Sequence, residues 1–170
     1  MTKEDLEKIL FIEQTRCFAV LDGASVPDLR TRLYEMRLPH YCLFRGELTP
    51  DVEEVAPYVI QMTPGTAFAD WVLSESFGKH WGIFAHSRYS IKEMRRHFRA
   101  LVTVYDETGD PMIFRFYDPR VLQTFLPTCE GDELKTFFGT VDTFFAENAE
   151  AKTLVSYKVE NEELKQSELK

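Results

Sequence analysis

At 170 residues, with 44% hydrophobic and 28% charged side chains, the chain has the size and composition of one folded domain, which excludes a disordered or fibrous protein. A net charge of −8 opposes binding along a phosphate backbone unless basic residues are segregated on one face, so nucleic acid is not an expected partner. No apolar run approaches the ~20 residues of a membrane span, and residues 1–10 carry charges where a signal peptide would be apolar, so a cytoplasmic location is expected.

Residues 3–14 place Leu6, Ile9, Leu10 and Ile12 at helical spacing and predict a short N-terminal amphipathic helix over 1–15. The run 16–21 (RCFAVL) reads as a first strand, stopped by Asp22-Gly23. Ser25, with Pro27 and Asp28 behind it, predicts a helix start, with Leu29, Leu33 and Met36 on one face and an end before Pro39. Strands are expected at 41–44 and 58–62, separated by an acidic, proline-containing loop. Thr66 is positioned to cap a helix bearing Phe68, Trp71 and Val72, with Gly78 as its stop.

Residues 81–85 (WGIFA) read as a buried strand. Ser90 with Glu93 then forms a capping box for a helix whose apolar stripe is Ile91, Met94, Phe98 and Leu101. The segments 101–105 and 112–117 flank Glu107-Thr108-Gly109-Asp110 and predict an antiparallel hairpin. On the second of these strands Met112, Phe114 and Phe116 are expected on one face and Ile113, Arg115 and Tyr117 on the other. Asp118 and Pro119 open a short helix to Phe125, and late strands are expected at 141–145 and 153–159. The sum is an α/β (α+β) fold: a single domain over 16–159 with a mixed β-sheet packed by several helices, followed by a charged, flexible tail at 160–170.

The residues offer little to a catalytic reading. Gly78-Lys79-His80 has the ending of a phosphate-binding loop, but Leu73 stands where its first glycine belongs and His80 replaces the Ser or Thr that would meet Mg²⁺. GxGxxG, GxSxG and HExxH do not occur, so no cofactor is expected. Cys17, Cys42 and Cys129 lack CxxC spacing and are expected as buried free thiols rather than metal ligands. His80 and His86, at the ends of one strand, would lie ~20 Å apart, too far to share a metal. An enzyme using His86, Asp118 and an arginine on a small molecule is the alternative reading.

Two constellations suit contact with another protein. Arg88, Lys92, Arg95, Arg96 and Arg99 gather on the polar side of one helix in an otherwise acidic chain and could dock an acidic surface, or simply form a solvated face. Residues 114–120 (FRFYDPR) put Arg115, Tyr117, Asp118 and Arg120 at a strand-to-helix corner; Asp118 is a candidate partner for either arginine as well as a helix cap. The 14 Phe, 7 Tyr and 2 Trp supply more ring area than a domain of this size readily hides, so part of it is expected to serve a partner.

These segments occur in a recognisable series. Residues 18–24 (FAVLDGA), 43–46 (LFRG), 56–59 (APYV), 81–84 (WGIF) and 114–120 resemble, in order and approximate spacing, the effector-chaperone (adaptor) family of bacterial type VI secretion, first catalogued as a domain of unknown function. The likeness spans roughly residues 17–138, and FRFYDPR is its most specific element. It implies a non-enzymatic adaptor that binds a cognate effector protein, often near the effector's N-terminal region, and helps load it onto the spike protein. Many members carry a further helical C-terminal lobe, whereas here only about thirty residues follow the similar region. A self-assembling regulatory protein is a third reading, distinguished by a homo-oligomer that buries its own aromatic patch.

Overall fold

The computed structural model describes residues 1–150 and 152–170. In chain order the first half contains α1 (Lys3–Leu10), β1 (Arg16–Asp22), α2 (Leu29–Glu35), β2 (His40–Cys42), α3 (Pro50–Val55), β3 (Pro57–Met62) and α4 (Ala67–Glu75). The second half runs β4 (Gly82–Ser87), α5 (Ile91–Val102), β5 (Thr103–Tyr105), β6 (Pro111–Ile113) and α6 (Pro119–Phe125), which continues into a 3-10 turn. It closes with α7 (Gly131–Phe138), β7 (Thr143–Asn148), β8 (Thr153–Glu160) and β9 (Glu163–Leu169).

β1 is buried from its second residue onward because both of its faces are covered. Phe18 and Val20 point to one side, where they join Met94 and Phe98 of α5, Leu122 of α6 and Leu134 and Phe137 of α7. Cys17, Ala19 and Leu21 point to the other, against Leu6 and Leu10 of α1, Leu29 and Leu33 of α2 and Phe68 and Val72 of α4. The alternation of strand side chains thus divides one sheet between two helical layers. A sheet dry on both faces explains why its inner strands read as continuous apolar runs.

The large sheet has the order β2-β3-β1-β4-β7-β8-β9. Every junction in it is antiparallel. The α/β single-domain class therefore holds, while the expected mixed sheet is corrected: the β5–β6 hairpin stands apart as its own two-stranded sheet. Close approach at the centre of the large sheet requires glycine at position 82, where a Cβ would lie 2.0 Å from the Val20 carbonyl oxygen.

Local signals worked where side chains cap helices. Ser90 and Glu93 close their reciprocal box, and the Thr66 hydroxyl accepts the Ala69 amide. Ser25 does not cap α2: its hydroxyl donates to Asp22 Oδ2 at 2.8 Å, and the helix starts at Leu29 behind a left-handed Asp28. α3 lies inside the stretch expected as loop, opened by Pro50, with its side chains exposed or half-buried. α7 was not anticipated, although Leu134, Phe137 and Phe138 bury one of its faces.

The tail is the largest correction. Residues 163–169 form β9, paired with β8 from Glu160↔Glu163 to Leu154↔Leu169. Asn161 and Glu162 both take positive φ, 53° and 65°, the backbone of a tight two-residue hairpin turn. Leu164 and Leu169 then reach opposite faces of the sheet, Leu164 packing on the α5–α7 side and Leu169 on the α1–α4 side. The expected N-terminal helix is α1, which packs Leu6 and Leu10 into the core on the α1–α4 side of the sheet.

Candidate functional site

α5 leads without a loop into β5, and a five-residue turn returns the chain along β6. Asp106 organises that turn: its Oδ1 accepts the amides of Thr108 and Asp110, both at 2.9 Å, and the Thr108 hydroxyl at 2.7 Å. The register sets Val104 opposite Met112 on one face of the ribbon, with Tyr105 and Ile113 on the other. A ribbon of two strands cannot cover both faces, and these four apolar side chains remain 37%, 48%, 68% and 60% exposed respectively.

Beside the ribbon lies an open groove of about 440 Å³. Leu101, Val104, Phe114, Phe125 and Phe137 make its apolar wall, and Asp132 and Glu133 stand on its α7 side. The aromatic wall is ordered by ring contacts, Phe114 meeting Phe125 edge-on with ring centres 4.7 Å apart and Phe125 lying tilted to Phe137 at 5.4 Å. Hairpin and groove together form an exposed apolar surface with an acidic border, the kind of surface that marks protein contact. Sequence reasoning found the hairpin but not this role; the available signal was apolar side chains on both faces of a short strand pair.

The basic face of α5 divides. Lys92, Arg95, Arg96 and Arg99 line a concavity of about 370 Å³ together with Arg45, from the turn after β2, which the sequence did not bring into the cluster. Arg99 is anchored: its Nε and Nη2 donate to the Cys42 carbonyl at 3.1 and 3.0 Å, and Nη2 also to that of Phe44 at 2.8 Å. The Arg95 guanidinium stacks 4.8 Å above the Tyr41 ring. Arg88 lies outside this concavity and faces Asp142 at 3.6 Å.

The FRFYDPR corner resolves into two ion pairs with buried carboxylates. Arg115 Nη2 donates to Asp22 Oδ2 at 2.5 Å, linking the corner to the end of β1, 93 residues away. Asp118 accepts Arg120 Nε at 3.0 Å and Nη2 at 2.7 Å while also accepting the Arg120 amide as the cap of α6. Arg120 and its amide hold the Asp118 carboxyl below the ordinary carboxylate range against the opposing effect of burial. The expected alternation breaks here, because β6 ends at Ile113 and both Phe116 and Tyr117 turn inward. Burial pushes the Tyr117 hydroxyl up to about 12.

His86 and Asp118 are not brought together. His86 pairs with Cys17 at one end of β1, its Nε2 lies 2.8 Å from the Leu10 carbonyl, and its ring packs edge-on against Phe145. Asp118 belongs with Arg115 and Asp22 at the other end, five strand residues or ~16 Å away. His80 instead meets the buried Glu147, Nδ1 to Oε1 at 2.9 Å, and Glu147 also accepts the amides of Gly78 and His80. The thiols of Cys17, Cys42 and Cys129 are free, two of them buried and Cys42 half-buried. Burial raises all three above the ordinary thiol range, away from the reactive thiolate.

Among the described residues, no group of three or more His, Cys, Asp or Glu side chains is arranged to hold a metal ion, and no helix is long and apolar enough to cross a membrane. Neither a curated protein nor a solved structure matches the chain. A family model does, over residues 17–136, from the start of β1 into α7 and so across the hairpin, the basic helix and the FRFYDPR corner. The chain belongs to the family described as Domain of unknown function (DUF4123).

Proposed function

We propose that this protein is a non-enzymatic, cytoplasmic adaptor that holds a type VI secretion effector and helps load it onto the spike protein. The observation that carries the binding role is the hairpin and groove: four exposed apolar side chains on a ribbon held in place by the Asp106 turn, next to an aromatic wall. The effector assignment is supported by the ordered series of similar segments, which falls within the matched family region. The occupant of the groove is a segment of the client that brings apolar side chains and, opposite Asp132 and Glu133, a basic residue.

Exposed apolar residues on an edge ribbon risk aggregation, and a chaperone role gives them an occupant before delivery. The test is reconstitution with a candidate toxin-like client, sought first among the genes neighbouring this one. Wild-type chain should form a stoichiometric complex, and Met112→Glu with Ile113→Glu should abolish it while leaving thermal stability nearly unchanged, since both side chains are exposed. Full binding by that variant would reject the hairpin as part of the client site. Failure of wild-type protein to bind the effector or spike protein, with effector delivery intact after the gene is deleted, would reject the adaptor role. A stable homodimer with the hairpin buried would favour the self-assembling alternative.

A further inference from the structure

The cationic concavity on α5 is separate from the apolar groove and lies at the opposite flank of the same helix. Lys92, Arg95, Arg96 and Arg99 follow i, i+3, i+4, i+7 spacing, which aligns them along one helix face, and Arg45 reaches the same space from the β2 side. Among the described residues, none of these five cations forms an ion pair with a carboxylate, although the chain carries 28 acidic residues. Glu93 does act on Arg96, but its carboxylate is committed to the Ser90 amide at 2.9 Å and the Ser90 hydroxyl at 2.7 Å.

The cluster is built rather than incidental to a solvated helix. Arg99 is held by three hydrogen bonds to carbonyls and Arg95 by the Tyr41 ring, so two guanidinium groups are fixed before anything binds. Burial, and after it the neighbouring Arg95 and Arg45 charges, lower the Arg99 pKa, as expected where like charges gather in one concavity. An anion placed among them relieves that repulsion and meets planar donors suited to oxyanions.

We infer that this concavity is a docking site for a short, carboxylate-rich peptide segment. Lys92 to Arg99 spans only ~10 Å of helix, room for two or three oxyanions. The rest of the molecule is acidic, so a long phosphate polymer that entered here would be repelled on either side. The inference rests on the adaptor reading only in assigning the segment to the client; the site itself is tested without one.

Thermal unfolding of the full chain at low ionic strength, with and without a hexaglutamate peptide, reads the site directly. At a hundredfold excess over its Kd the peptide should raise the melting temperature by about 5 °C or more, an effect that salt suppresses. Lys92→Glu with Arg96→Glu alters exposed side chains and should keep the native fold by circular dichroism while weakening peptide binding about tenfold or more. A charge-matched mixed-sequence single-stranded oligonucleotide should bind more weakly than the peptide. No stabilisation by hexaglutamate, equal stabilisation of the charge-reversed variant, or tighter binding of the oligonucleotide would each overturn the inference. Loss of effector binding in the Met112→Glu, Ile113→Glu variant leaves this result untouched, so the two readings fail separately.

Discussion

Three stretches of chain meet at the carboxylate of Asp22. It closes β1, accepts the Ala24 amide at 3.1 Å and the Ser25 hydroxyl at 2.8 Å, and receives Arg115 from the FRFYDPR corner. Its side chain is only 3% exposed, whereas that of Arg115 is 46% exposed, so the partners are not equivalent. Asp22→Ala should cost about 1–3 kcal/mol by removing the shared acceptor of three hydrogen bonds, and Arg115→Ala less, because Asp22 keeps two donors and solvent screens the arginine. Urea denaturation of both single variants and the double variant checks this; additive losses would show that the pair is not coupled. Arg99 follows the same logic: Arg99→Ala releases two carbonyls and should lower stability by about 1–3 kcal/mol, while Arg96→Ala stays within about 0.5 kcal/mol. His86 and His97 supply the pH dependence. Burial lowers both pKa values, although each ring lies against a backbone carbonyl that favours its proton. Depressed bases are neutral in the fold and bind more protons when unfolded, so stability is intact above the ordinary imidazole value of about 6.5 and declines as pH falls below it. Denaturation midpoints compared between about pH 7 and about pH 5.5 should drop, and should drop less in His86→Gln with His97→Gln.

At the scale of elements, stability depends on pieces whose local signals differ in strength. Phe116 is fully buried among Phe98, Tyr117 and Phe137, so Phe116→Ala should cost about 3–5 kcal/mol. Phe114 is only half-buried in the groove wall, and its truncation should cost less. Equal losses, read as shifts in thermal midpoint, would contradict this packing. β9 is a sharper case: Leu164→Asp should destabilise the sheet edge, because that side chain packs on the α5–α7 face of the core. The helices with capping residues and a wide apolar stripe, α4 and α5, were legible from the sequence, as were the buried runs of β1, β3 and β4. β9 was not legible, because its strand is charged and its turn is Asn161-Glu162 instead of a glycine-containing pair, so only pairing with β8 defines it. α7 is illegible for a related reason: eight residues give little periodicity, and Phe137 and Phe138 acquire their meaning from Phe144 on the facing strand β7. Of the candidate site, the basic helix face was readable from spacing, but Arg45 joins it only through tertiary structure. The partner of Arg115 was likewise beyond reach, since Asp22 lies at the far end of the fold's first strand.

Over the whole molecule, two helical layers enclose a seven-stranded antiparallel sheet, and the two features suited to partners flank one helix of the second layer. α5 commits Met94, Phe98 and Val102 to the core, holds cations along one edge and leads directly into the apolar ribbon at its end. A single helix thus borders both the cationic concavity and the apolar ribbon, and the proposed polypeptide-binding role rests on that arrangement. The type VI adaptor reading gives both faces an occupant without asking His86 and Asp118, at opposite ends of β1, to cooperate. Amide hydrogen exchange of the chain, alone and in complex with the effector it is proposed to hold, tests that account most directly. The account predicts slowed exchange over residues 100–116 and 125–137 in the complex, with the α1–α4 layer unchanged. Protection confined to the α1–α4 layer, or no change anywhere at saturating effector, would contradict it.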